Sequence, residues 1–192
     1  MKNASVLSLA VFLAACGSNN DSAPPPVETA TVDQAAPAEM TAPAGTPATP
    51  VDAAGYIAKA GAGDMWEIES SKALLAKSTN ADVKAFAQMM IDNHAKSTAK
   101  VKAAAAEAKI DVAPPKLDAD QQKMLDDIKA ADAASIDALY LGNQTAAHDA
   151  ALALHKAYAA SGDTPSLKKA ASEIVPVVEA HRAELGKLAA KR

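Results

Sequence analysis

From Asp52 to the C-terminus, apolar side chains recur every three or four residues in four long stretches, separated by capping residues and prolines. That period belongs to the α-helix and clashes with the alternation of a strand, so this part of the chain must fold as packed helices. The first stretch predicts a helix over about 53–78 with Ile57, Gly61, Met65, Ile68 and Leu75 on one face. Asn80 caps a second over about 81–109, on Val83, Phe86, Ala87, Met90 and Val101. Pro114 and Pro115 stop it. A short helix over about 118–130 follows, on Leu117, Met124, Leu125 and Ile128. The third long helix, over about 134–160, carries Ile136, Leu139, Tyr140, Ala147, Leu154 and Tyr158 until Ser161-Gly162-Asp163 breaks it. Thr164 caps the fourth, with Pro165 in its first turn and Leu167, Ala171, Ile174, Val178 and Leu185 on its face. Pro176 inside that helix removes a backbone hydrogen bond and predicts a kink. Hydrophobic residues make up 49% of the chain but aromatics only 3%. Much of the apolar content is alanine, which favours closely approaching helices over a sheet sandwich. The expected fold class is all-α, a four-helix bundle.

The chain opens differently. Lys2 precedes the apolar run Val6 to Leu13, then Leu13-Ala14-Ala15-Cys16 and Gly17. An early positive charge, a short apolar core and small residues before a cut site describe a secretory signal, here residues 1–15. The run is too short to span about 30 Å of hydrocarbon. Leu13-Ala14-Ala15-Cys16 resembles the lipobox of bacterial lipoproteins, which implies a covalent lipid on Cys16 and attachment to a membrane through it. Cys16 is the one cysteine, so no disulfide is available and packing alone must hold the domain. Gly17 stands where Gram-negative lipoproteins retained at the inner membrane carry Asp. In a Gram-negative host this implies the outer membrane, facing the periplasm. Residues 16–51 hold Pro24-Pro25-Pro26, Pro37, Pro43, Pro47 and Pro50 and no apolar period, so they are expected to form a disordered tether. The domain is 52–192.

The tether holds Asp21, Glu28, Asp33 and Glu39 and no base, leaving the domain near neutral. Nucleic acid is excluded as a partner, since its binding needs a basic surplus.

Counting outward from the two predicted turns brings polar residues to one level. Glu67 and His94 flank Asn80 at nearly equal distances, roughly 20 Å along their helices, and His148 and His181 flank Thr164 at roughly 25 Å. The 110–133 connection is long enough to cross the bundle; crossing is expected to put both turns at one end, with the four residues within about one helical turn in height. At 100° per residue, His94 points inward and His181 sits at the edge of its stripe, while Glu67 and His148 fall at a seam or in solvent. Glu69 is offset as far as Glu67 on the other side. Gln144 and His155 share the face of His148.

Glu67-Ile68-Glu69, Val83-Lys84-Ala85-Phe86-Ala87 and the Met89-to-His94 run resemble the domain of unknown function 4142 family of exported bacterial proteins. So do Tyr140-Leu141, Gln144, His148, Gly162-Asp163, Leu167-Lys168 and the Pro176-to-His181 segment. The resemblance covers nearly all of 53–190 and implies a ferritin-like bundle with a long crossover between the second and third long helices. It implies no agreed biochemical activity. Ferritin-like bundles often hold two irons on Glu and Glu-x-x-His motifs. No Glu-x-x-His occurs here: Asp92 and Glu179 each precede a histidine by two residues, on the opposite helix face. The usual di-iron site, and an enzyme built on it, are therefore not expected.

Two functional readings follow. The first is a non-catalytic lipoprotein of the cell envelope whose bundle is a structural or interaction module. The second is a metal-binding bundle, for storage or redox chemistry, with Glu67, His94, His148 and His181 as ligands and Glu69, Gln144 or His155 as additional ones. Imidazoles with one carboxylate suit a transition metal such as iron, zinc or copper.

Overall fold

The computed structural model describes residues 52–191. The signal segment, Cys16 and the tether lie outside the described residues. Among the described residues there are five helices and no strand: α1 (Ala53–Leu75), α2 (Ala81–Glu107), α3 (Ala119–Ala130), α4 (Ile136–Ser161) and α5 (Pro165–Ala190).

The helix ends follow from local chemistry. The Asp52 carboxylate accepts from Gly55 N–H at 2.7 Å, and Asn80 Oδ1 accepts from Asp82 and Val83 N–H, satisfying donors that have no intrahelical partner. Asp118 and Gln121 form a reciprocal capping box at α3. Before the two prolines, α2 closes with Lys109 in the left-handed region (φ 59°). There Ile110 N–H donates to the Ala105 carbonyl and Lys109 N–H to that of Ala106, the paired bonds of a Schellman turn. Thr164 departs from expectation. Its hydroxyl donates to Asp163 Oδ1 and makes no cap bond to α5, which starts on the preset backbone of Pro165. The helix continues through Pro176.

The four long helices pack in the pairs α1 with α2, α4 with α5, α2 with α5 and α1 with α4, and α3 lies mainly against α1. Hydrogen bonds fix their directions. Ala53 N–H donates to Asp163 Oδ2 (3.3 Å) and Ser166 Oγ to the Ala104 carbonyl (2.7 Å), so α1 begins and α2 ends beside the α4–α5 turn. At the other end Lys77 Nζ donates to the Ala131 carbonyl (2.8 Å), and Lys191 pairs with Asp82 (2.8 Å). The 108–135 connection therefore traverses the fold as expected, but its consequence is the reverse of the expected one. Crossing returns the chain to the end holding the α1–α2 turn, so α4 runs parallel to α2 and the α4–α5 turn falls at the opposite end.

The apolar core is divided. Tyr56, Ile57, Val101, Tyr158, Leu167, Ile174 and Val178 form one cluster near the α4–α5 turn. Trp66, Leu74, Phe86, Met90, Ile128, Ile136, Tyr140 and Leu185 form another toward the opposite end. The inward face of α1 is more polar than predicted. Asp64, Glu67, Ser70 and Ser71 are buried there, while Gly61, Met65, Ile68 and Leu75 are only half-buried. Partners on other helices make this possible: Ser71 shares a 2.7 Å hydrogen bond with Tyr140, and Gln144 donates to Ser70 Oγ at 3.2 Å.

Candidate metal centre

Each long helix contributes one ionisable side chain to a buried layer near mid-height: Glu67 from α1, His94 from α2, His148 from α4 and His181 from α5. All four are buried, at 3%, 5%, 0% and 2% exposure. They meet although the two turns lie at opposite ends, because each stands near the middle of a helix of similar length. A mid-helix residue keeps its level whichever way its helix runs. One ring nitrogen from each of His94, His148 and His181 lies within 4.8 Å of the others, a grouping that small side-chain rotations would close around one ion. The ring centroids are 5.3–5.6 Å apart.

The surrounding acceptors select the tautomers. His148 Nδ1–H donates to the Gln144 carbonyl at 2.9 Å, which leaves Nε2 with its lone pair directed at His181 Nδ1, 3.2 Å away. His181 Nδ1 faces that lone pair, and its Nε2 lies 3.0 Å from the Asn93 side-chain amide; with the amide turned to accept from Nε2–H, His181 Nδ1 and His148 Nε2 both keep lone pairs for one ion. His94 Nδ1–H donates to Asp64 Oδ1 at 2.8 Å, and Thr98 holds the other Asp64 oxygen at 2.9 Å. His94 Nε2 is buried with no hydrogen-bond partner, as is Glu67 Oε2; Glu67 Oε1 lies 3.3 Å from His148 Nδ1. Carboxylate or carbonyl acceptors on the far nitrogens of His94 and His148 are the usual outer shell of metal-ligating imidazoles. Two nitrogens at 2.0–2.1 Å from one tetrahedral ion stand about 3.3 Å apart, close to the His148–His181 spacing.

Burial governs the charges. It pushes the Glu67 carboxyl up to about 7, against the pull of His94. Burial, with the neighbouring histidines, holds His148 down at about 4 and His181 at about 3, so both are neutral imidazoles at neutral pH. His94 is also opposed by burial, but the Asp64 hydrogen bond and the charges of Glu67 and Asp64 outweigh it and raise its pKa.

The remaining sequence candidates separate. Glu69 turns toward solvent and pairs with Lys72 at 2.8 Å, so of the two acids Glu67 is the one in the buried layer. His155 is buried but stands apart, its Nδ1 3.0 Å from the Tyr56 hydroxyl. Gln144 contributes its backbone carbonyl to His148, and its side chain, which donates to Ser70 Oγ, also helps to lower the Glu67 pKa. Sequence reasoning missed Asp64, Asn93 and Thr98. A signal for Asp64 existed: it precedes Glu67 by three residues, placing both on one helix face.

The model of the family described as Domain of unknown function (DUF4142) matches residues 38–188. No curated protein matches the chain. A DUF305 fragment from Deinococcus radiodurans has a similar fold, with TM-score 0.64 and 12% identity over 77% of this chain and 100% of that one. A DUF305 protein from Streptomyces coelicolor, described as a candidate secreted protein, has TM-score 0.61 and 15% identity over 72% of this chain and 91% of its own. At such identities the likeness concerns fold alone. The match over most of the chain and the helical domain it spans place this protein in the DUF4142 family.

Proposed function

We propose that this chain is an exported, lipid-anchored ferritin-like four-helix bundle that holds one transition-metal ion on His94, His148 and His181, with Glu67 beside it. The observation that carries this reading is the convergence of three buried imidazoles from three helices, their ring nitrogens within 4.8 Å of one another. Buried polar groups without partners are costly, so the unpartnered His94 Nε2 and Glu67 Oε2 fit a cation better than they fit packing. The neutral imidazoles of His148 and His181 suit iron, zinc or copper, His94 binds by giving up its Nε2 proton, and three protein ligands leave a coordination position open. When bound, such an ion supplies Lewis acidity or, for iron and copper, one-electron chemistry. The chain's own residues do the positioning: Asp64 orients His94, the Gln144 carbonyl fixes the His148 tautomer, and Asn93 holds His181.

The interaction-module reading has less support. It needs an exposed apolar face, and among the described residues Val177, at 40% exposure, is the one large apolar side chain that is exposed. Export fits the signal-like first residues and the secreted description of one structural neighbour. No described helix is long and apolar enough to cross a membrane, so attachment would rest on Cys16. Cys16→Ala should release the protein or block its processing; continued acylation and membrane retention of that variant would refute the anchor.

The metal reading is tested by metal analysis of the purified protein after loading with iron, zinc, copper or manganese and desalting. About one equivalent should remain in the parent and be lost from a His94→Ala/His148→Ala variant that keeps its helical circular dichroism. No metal retained by the parent would overturn the reading.

A further inference from the structure

A cavity of about 1110 Å³ opens between the helices at the metal layer, lined in part by Glu67, His94 and His181. Exposed Lys59 and Lys96 also line it. Much of its wall is small and apolar, with Ala60, Ala62 and Gly63 on α1 and Ala147 and Ala151 on α4. A Cβ added at Gly63 would meet nothing within 4 Å.

Among the described residues, six buried side-chain polar atoms lack a hydrogen-bond partner. Four of them, Trp66 Nε1, Glu67 Oε2, His94 Nε2 and Ser97 Oγ, belong to residues lining this cavity. Native interiors pair nearly all such atoms. The ion proposed above accounts for Glu67 Oε2 and His94 Nε2; Trp66 Nε1 and Ser97 Oγ remain, and these two orphans on the same cavity point to a further molecule that pairs them. Volume and lining match a chamber for a small organic molecule, with mostly apolar walls and a few polar groups to orient it.

We propose that this cavity binds a small organic molecule with an apolar body and a nitrogen or oxygen donor head, the head completing the coordination of the ion held by His94, His148 and His181. The proposal rests on the metal reading above and adds the class of ligand. The body lies along the alanine-lined wall, where buried area favours it. His148 does not line the cavity, so the head approaches from the side of His94, His181 and Glu67.

The test uses the whole protein loaded with cobalt(II), whose visible spectrum reports coordination, titrated with imidazole and with phenylimidazole. Cobalt content is measured on the same samples. Both probes should change the spectrum, and phenylimidazole should bind about tenfold or more tightly, the worth of burying its ring. Gly63→Leu, which fills the chamber where a Cβ meets no atom, should bring the two affinities together; Ala151→Leu asks the same question from α4. Cobalt that is retained but unaltered by either probe would overturn the chamber while leaving the metal centre standing. So would equal affinities in the parent, or a preference unchanged in both filled variants. Failure to retain cobalt would remove the centre and the ligand's anchor together.

Discussion

Replacing Glu67 by glutamine isolates the electrostatic cost of the buried layer. The carboxyl titrates at 4.5 when exposed and at about 7 in the fold, because burial penalises its charged form. Between these values the folded protein holds a proton that the unfolded chain has released, so stability falls as pH rises through this window. Each pKa unit is worth about 1.4 kcal/mol, and integration from pH 5 to pH 8 gives a loss of about 2–3 kcal/mol assignable to this side chain. Glutamine keeps the shape and cannot ionise. In the metal-free protein, the stability of Glu67→Gln relative to the parent should therefore rise by about 2–3 kcal/mol between pH 5 and pH 8. Urea unfolding followed by far-ultraviolet circular dichroism, with chelator present, measures both values; groups not coupled to Glu67 cancel in the difference between the two proteins, and a His94→Gln background removes the coupled one. A stability difference that stays constant between the two pH values would refute the reasoning. It would mean that Glu67 ionises in the fold as easily as in water and that the layer needs no cation to compensate it.

Other predictions follow from single sites. His155 is held down at about 4 by burial, so the unfolded chain takes up a proton below about 6.5 that the fold refuses. About 3 kcal/mol should be lost as pH falls across that window, and His155→Leu should flatten this part of the acid limb; an unchanged slope would remove the assignment. Asp64→Asn leaves all three imidazoles in place but removes the charge that orients His94, and should weaken metal binding about 10–100-fold in chelator competition. Unchanged affinity would mean that Asp64 serves packing alone. Lys109→Gly relieves a left-handed backbone at the end of α2 and should stabilise the protein by about 0.5–1 kcal/mol in urea unfolding, whereas a loss would show that the lysine side chain contributes more than the backbone costs.

Much of the site was legible because its level along the helices depends on rise per residue alone. His94 was also legible in direction, since it falls within the stripe of Val83, Ala87, Met90 and Val101, all of them buried. Glu67 and His148 were ambiguous at the seam, and the same angular reasoning left Glu69 in contention. The structure buries the first two because they face each other across the α1–α4 seam, with the Gln144 carbonyl one turn back along α4 holding His148, while Lys72 pairs with Glu69 at the surface.

What the sequence determined by itself is local: five helices, the cap at Asn80, the stop before Pro114, and the mid-helix heights of Glu67, His94, His148 and His181. These follow from hydrogen bonds between residues four apart and from side chains bonding the nearest free backbone groups. Tertiary structure alone decided the rotation of α1 that turns Asp64, Glu67 and Ser70 inward, and the opposite ends at which the two turns lie. A polar side chain enters a core only where another helix offers it a partner, and that partner can be more than seventy residues away, as Gln144 is from Ser70.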